Sequence, residues 1–232
     1  MAIELNNPGA LYKEFYGNIS QQMPKLLAQG RTPMSFKDVM QRRLEVANSN
    51  YPDLIEAWLG KYFDTGDACV IDSNGNLKVV LDSKHLRELN SKTKLTNGAI
   101  VLSNVDYSKL GGEEFSPVIL NRYTMSSELT EKQVNNHPVW VSLARGDEAL
   151  LKAYSQMIFA KAKEKFNYDK NMGIYLLSSP EMPQLRSWYA NSLYYRSIAF
   201  GRDDLGCGSG RLVGVAPEAK SVKKNLESKI MR

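Results

Sequence analysis

A strand–turn–strand signature constrains this chain more than any other feature. Ala68-Cys-Val-Ile71 and Leu77-Lys-Val-Val-Leu81 are short apolar runs separated by Asp72-Ser-Asn-Gly-Asn76. Asn74-Gly75 is a pair that tolerates positive φ at both central positions of a tight turn, so the segment predicts an antiparallel hairpin over 68–81. The fold must therefore hold an antiparallel sheet.

Helical patterns surround that hairpin. Over residues 10–28, Leu11, Phe15, Ile19, Met23 and Leu26 recur at helical spacing, weakened by Gly17 and Pro24. Ser35 is placed to cap a helix over 36–47, and Pro52 to open a third helix carrying Leu54, Ile55, Trp58, Leu59 and Tyr62. Thr130 and Gln133 have capping-box spacing, and Asp147 can cap a long helix to Phe166. Strands are expected at 99–103, 118–121, 172–177 and 212–215, with a short helix over 83–90. These elements predict an α+β fold, with helices beside a small, mostly antiparallel sheet. The expected organisation is one domain over 1–216, helical over about 1–66, and a basic tail or terminal helix over 217–232.

Charge sharpens where a partner would bind. The formal net charge of +5 is uneven: Lys220, Lys223, Lys224, Lys229 and Arg232 outweigh Glu218 and Glu227, so the last sixteen residues carry +3. The body is nearly neutral, unlike a domain built around a phosphate-binding face. No apolar run approaches the roughly 20 residues needed to span a bilayer, and no signal peptide is visible at the N-terminus. Cys69 and Cys207 follow no paired spacing, and His85 and His137 are isolated, so neither a metal nor a cofactor is expected. These features suit an intracellular, cytoplasmic protein with Cys69 as a core residue.

Several strings resemble known chemistry. Asp204-Leu-Gly-Cys-Gly-Ser-Gly210 resembles the first motif of AdoMet-dependent methyltransferases, a resemblance that implies a cofactor cradled by the turn. The preceding Phe200-Gly-Arg-Asp203 is not the apolar strand that delivers such a loop, and the acidic ribose ligand expected about 20 residues on would fall in the basic tail. The turn's Gly206, Gly208, Ser209 and Gly210 could instead hold a nucleotide or another anion through exposed amides. Asp64-Thr-Gly66 copies the aspartic-protease tripeptide but follows a helical segment, so it reads as a helix-stop turn. Asp72–Asn76 lacks the glycine and bidentate glutamate of a calcium loop.

The segment 186–202 concentrates aromatics among arginines: Arg186, Trp188, Tyr189, Tyr194, Tyr195, Arg196 and Arg202, with Phe200. Aromatic faces stack on bases and guanidiniums pair with phosphates, and the same residue types dominate protein hot spots. Leu185, Trp188, Tyr189 and Leu193 also fit a buried helix. The leading expectation is a non-enzymatic binding or assembly module that contacts nucleic acid, or else a protein, through this segment and Lys220, Lys223 and Lys224. The alternative is an enzyme using the 204–210 turn for AdoMet, a nucleotide or another anion. No catalytic residue is identifiable, and homo-oligomerisation stays open.

Overall fold

The computed structural model describes residues 10–120, 128–202 and 204–217. The chain enters through β1 (Tyr12–Tyr16), α1 (Ile19–Ala28), β2 (Thr32–Pro33), α2 (Phe36–Ala47) and α3 (Pro52–Leu59). The hairpin follows as β3 (Phe63–Ile71) and β4 (Leu77–Val80). Short elements come next: α4 (Lys84–Arg87), β5 (Ile100–Val101), α5 (Asn104–Lys109), β6 (Glu113–Phe115) and α6 (Pro117–Leu120). Then come β7 (Glu128–Leu129), α7 (Glu131–Asn135), α8 (Pro138–Leu143) and α9 (Glu148–Phe166). The described chain closes with β8 (Asn171–Met172), β9 (Ile174–Tyr175), β10 (Gln184–Ala190), β11 (Ala199–Phe200) and β12 (Arg211–Val215).

The hairpin forms as the sequence predicts, with Ala68 opposite Val80 and Ile71 opposite Leu77. Asp72 Oδ1 accepts from the backbone N–H groups of Asn74 and Asn76, so the loop that imitates a calcium site satisfies its own turn. The class is α+β, but the sheet is large rather than small. Ten strands hydrogen-bond along the path β1-β12-β3-β10-β11-β9, with β2 on β12, β4 on β3, β6 on β4 and β5 on β10. All its pairings are antiparallel except β12 with β3 and β11 with β9.

Two cores lie against the sheet's two faces. One gathers Phe36, Met40, Trp58, Trp140, Tyr154 and Ile158 from the helices with Phe63, Trp188 and Val213 from the strands. The other gathers Ile19, Met23 and Leu26 of α1 with Phe15, Val70, Leu185 and Leu212. A strand covered on both faces loses its apolar–polar alternation. That explains why every residue of β3 is buried, and why helical spacing over 185–193 was deceptive: Gln184–Ala190 form β10, and Leu193 starts the 3-10 turn that follows. Asp64-Thr-Gly66 lies inside β3, not in a helix-stop turn.

Other expectations shift at their ends. The helix expected over 10–28 divides at Gly17, whose φ of +123° few side chains tolerate; β1 precedes it, and Asn18 caps α1, which continues through Pro24. Residues 117–120 are helical, and 172–177 holds two short strands. The caps at Ser35, Thr130 and Asp147 form as predicted. Cys69 is buried in the core, and burial raises its thiol pKa well above the ordinary range. Among the described residues no helix is long and apolar enough to cross a membrane. The tail expected from Glu218 onward, with Lys220, Lys223 and Lys224, lies outside the described residues.

Arg43 of α2 is fully buried beneath this assembly. Its Nε donates to Trp58 O (2.9 Å), Nη1 to Tyr154 Oη (3.0 Å), and Nη2 to both Lys61 O (2.8 Å) and Ala190 O (3.3 Å). One side chain thus ties α2 to the end of α3, the entry to β3, the end of β10 and α9. Arg43→Leu strands these acceptors, and chemical denaturation is expected to show a loss of about 3–5 kcal/mol. Arg43→Lys should recover less than half of it, because one ammonium cannot reach acceptors spaced for a planar fork.

His137 caps α8 through Nδ1, which accepts from Val139 N–H at 3.3 Å. Burial lowers its pKa from 6.5 to about 4. A depressed folded-state pKa contributes stability above the unfolded value, and that contribution falls as pH drops from 6.5 toward 4. Denaturation midpoints across this window should show a loss of up to about 3 kcal/mol from this group. His137→Asn keeps a capping side chain and should flatten that component.

Candidate binding face

The directions of the strands bring six of their residues to one end of the sheet. Tyr16 ends β1 and Arg211 starts β12, its antiparallel neighbour. Tyr62 directly precedes β3, which runs parallel to β12. Tyr189 lies near the end of β10 and pairs with Phe200 of β11, while Phe200 pairs with Tyr175 of β9. Side chains scattered from position 16 to 211 therefore meet.

Their contacts form an unbroken row. The Arg211 guanidinium lies 5.1 Å from the Tyr16 ring centroid and 5.5 Å from that of Tyr62. Tyr62 meets Tyr189 at 5.7 Å, Tyr189 meets Phe200 at 4.6 Å, and Phe200 stacks on Tyr175 at 4.9 Å and 11°. Arg202 closes the far end, 5.2 Å from the Tyr175 ring, with Nη1 donating to the Tyr175 hydroxyl at 2.9 Å. Tyr16 is 55% exposed and Tyr175 39%; Tyr62, Tyr189, Phe200 and Arg211 are half-buried, and Arg202 is exposed.

Fixed polar contacts hold the row. Arg211 pairs with Glu14 of β1, and its backbone N–H donates to the buried Asp64 carboxylate at 2.6 Å. The Tyr62 hydroxyl donates to Ser209 O. Partial burial, the largest influence, raises the Tyr62 pKa, so the ring stays a neutral donor near pH 7. Among the described residues Arg202 has no acidic partner. The face thus offers rings held by their neighbours, phenolic hydroxyls and the exposed Arg202 guanidinium.

The residues singled out from 186–202 divide among three environments. Tyr189 and Arg202 join the row. Trp188, on the opposite side of β10 from Tyr189, is fully buried in the core. Arg186 is also buried and donates to Asn97 O and to Gln184 Oε1. Neither is available to a partner, because both sides of β10 are covered at 185–188. Tyr194, Tyr195 and Arg196 belong to a turn directed at α9. Tyr194 Oη lies between Glu56 (3.0 Å) and Lys165 (2.9 Å). Arg196 lies 3.8 Å from the Tyr168 ring centroid and pairs with Glu128 at 3.3 Å. Tyr195 is 68% exposed.

The glycine-rich turn buttresses the row. Gly206 N–H donates to Asp204 Oδ1 (2.8 Å), Cys207 N–H to Asp204 O (2.9 Å), and Gly210 N–H to Cys207 O (3.4 Å). Asn18 Nδ2 holds Gly206 O, and Leu205 N–H holds Gly98 O. A Cβ on Gly210 would lie 2.6 Å from Gly17 O, so close backbone approach requires that glycine, whereas Gly208 faces open space. Three amides of the turn are thereby engaged within it. Among the described residues no group of three His, Cys, Asp or Glu side chains could hold a metal.

Four members of the row, Tyr16, Tyr62, Tyr175 and Arg211, escape a reading of the sequence. They stand apart from the 186–202 cluster, and only strand pairing unites them with it. The outward alternation of Tyr189 and the apolar strand pattern of 212–215 were the available signals.

No protein-family model and no curated protein matches the chain. Among solved structures it is similar to one from Nanoarchaeota, described as the accommodation of massive sequence variation by the C-type lectin fold. The likeness has a TM-score of 0.62 at 20% identity and covers 91% of this chain and 100% of that chain. The chain thus has the C-type lectin fold.

Proposed function

We propose that this protein is a binding module that presents its aromatic–arginine row to a protein partner. One observation carries the reading: seven side chains from six strands or their flanks form a continuous, partly exposed row. Tyrosine and arginine dominate protein hot spots. Aromatic rings contribute large contact area at little entropic cost, especially when their neighbours already fix them.

A protein suits this face better than single-stranded nucleic acid. Base stacking needs free ring faces. Here Phe200 and Tyr175 cover each other, and guanidiniums lie over Tyr16, Tyr62 and Tyr175. The Tyr16 hydroxyl and the exposed Arg202 guanidinium at the two ends of the row suit polar groups of a protein. The similar Nanoarchaeota structure is described in terms of massive sequence variation within this fold. The same tolerance is expected here, because Tyr16, Tyr175, Phe200 and Arg202 belong to neither core.

The test replaces Tyr175 with the photocrosslinker p-benzoylphenylalanine in the native host, with the equally treated Tyr51, 68% exposed, as control. Protein adducts are expected at 175 and not at 51. Phe200→Ala and Arg202→Ala should each weaken binding of the crosslinked partner about 30-fold, as hot-spot truncations do, while changing stability by about 1 kcal/mol or less. Adducts at both positions alike contradict the reading. So does salt-sensitive binding of single-stranded oligonucleotides at about 50 mM salt.

A further inference from the structure

The row continues into a strand edge that no described strand covers. Among the described residues β1 pairs only with β12, and the bonds Ala216 N–H to Leu11 O and Gly17 N–H to Gly210 O set its register. In an antiparallel ladder alternate residues direct both backbone groups to the same neighbour. Residues 11, 13, 15 and 17 therefore face β12. Tyr12, Glu14 and Tyr16 direct their N–H and C=O groups away from the sheet, and no described residue bonds to them. Such an edge is a template for another strand.

We infer that β1 receives an extended segment of the protein partner by strand addition, with that segment's side chains packing beside Tyr16 and Arg211. The inference rests on the proposed function and supplies its mode of recognition: main-chain bonds for affinity and alternate side-chain sites for specificity. Continuity points the same way. Tyr12, Glu14 and Tyr16 share one side of β1. Glu14 and Tyr16 on that side contact Arg211, the first link of the row. An added strand would place one residue against the exposed Tyr16 ring, where an aromatic or large aliphatic side chain fits.

A second copy of the chain fits less well. Antiparallel self-pairing centred on Glu14, the middle of β1, sets Glu14 opposite Glu14, and pairing centred on Lys13 sets Lys13 opposite Lys13. Like charges directly opposite are unfavourable. A heterologous segment avoids both clashes.

The test uses linear random peptides displayed on phage and selected on the folded protein. Backbone amide exchange and NMR shifts are then read at Tyr12, Glu14 and Tyr16. Selected peptides are expected to slow exchange at these three amides. Glu14→Pro removes one outward N–H and keeps the bonds to β12, since prolines are tolerated on strand edges. It should weaken the peptides about tenfold relative to Glu14→Ala, which controls for the lost carboxylate. Circular dichroism and an unchanged β12 exchange pattern confirm that both variants fold.

Failure to select any peptide overturns the inference, as do peptides that bind without protecting the three amides. Peptides that lose affinity on Phe200→Ala yet leave β1 unprotected sink strand addition while sparing the aromatic row. Peptides that protect β1 but ignore Phe200→Ala and Arg202→Ala count against the row instead. A concentration-dependent dimer that slows the same amides without peptide would show self-pairing and also overturn the inference.

Discussion

A guanidinium buried without a carboxylate must find its acceptors among carbonyls and hydroxyls, and the fold has to bring those groups together. Arg43 does this with four hydrogen bonds to four separate parts of the chain. Two of its acceptors, Lys61 O and Ala190 O, immediately precede Tyr62 and follow Tyr189. The same terminal nitrogen holds both. Arg43 therefore fixes the spacing of the two strands where the Tyr62 and Tyr189 rings meet at 5.7 Å. A buried polar group of this kind is costly unless fully satisfied, and its satisfaction couples the core to the surface row above it.

From that clamp the row extends by strand geometry. Parallel pairing of β12 with β3 places Arg211 beside Tyr62, and antiparallel pairing of β1 with β12 brings Tyr16 to the same end. On the other side β10, β11 and β9 add Tyr189, Phe200 and Tyr175. The polar supports come from three places: the buried Asp64 holds the Arg211 backbone, the half-buried Glu14 its guanidinium, and the 204–210 turn accepts the Tyr62 hydroxyl at the surface. Surface side chains anchored this way are ordered before any partner arrives, which lowers the entropic cost of association.

Local chemistry was legible in the sequence where it is self-contained. Asn74-Gly75 specifies its hairpin, Ser35 with Asp38 and Thr130 with Gln133 specify capping boxes, and Asp147 starts α9. Where two cores cover one strand, periodicity fails. Leu185 and Trp188 mimic a helix because β10 has no wet face along most of its length, and Leu193 of the following turn extends the spacing. Tyr189 and Arg202 were legible as site candidates from composition alone. Arg186 and Trp188 were misplaced because composition cannot tell that β10 is covered on both sides at 185–188. Tyr16, Tyr62, Tyr175 and Arg211 depend on pairings between strands up to about two hundred positions apart, which no local pattern encodes.

If these residues act as one surface, a bound partner shields their tyrosines from solvent together. Hydroxyl-radical footprinting of free and bound protein reads every tyrosine in one experiment. Tyr16, Tyr62, Tyr175 and Tyr189 should lose reactivity together on binding, while Tyr51 and Tyr195, each 68% exposed, remain reactive. Protection of Tyr51 or Tyr195 with the row still reactive would contradict the account.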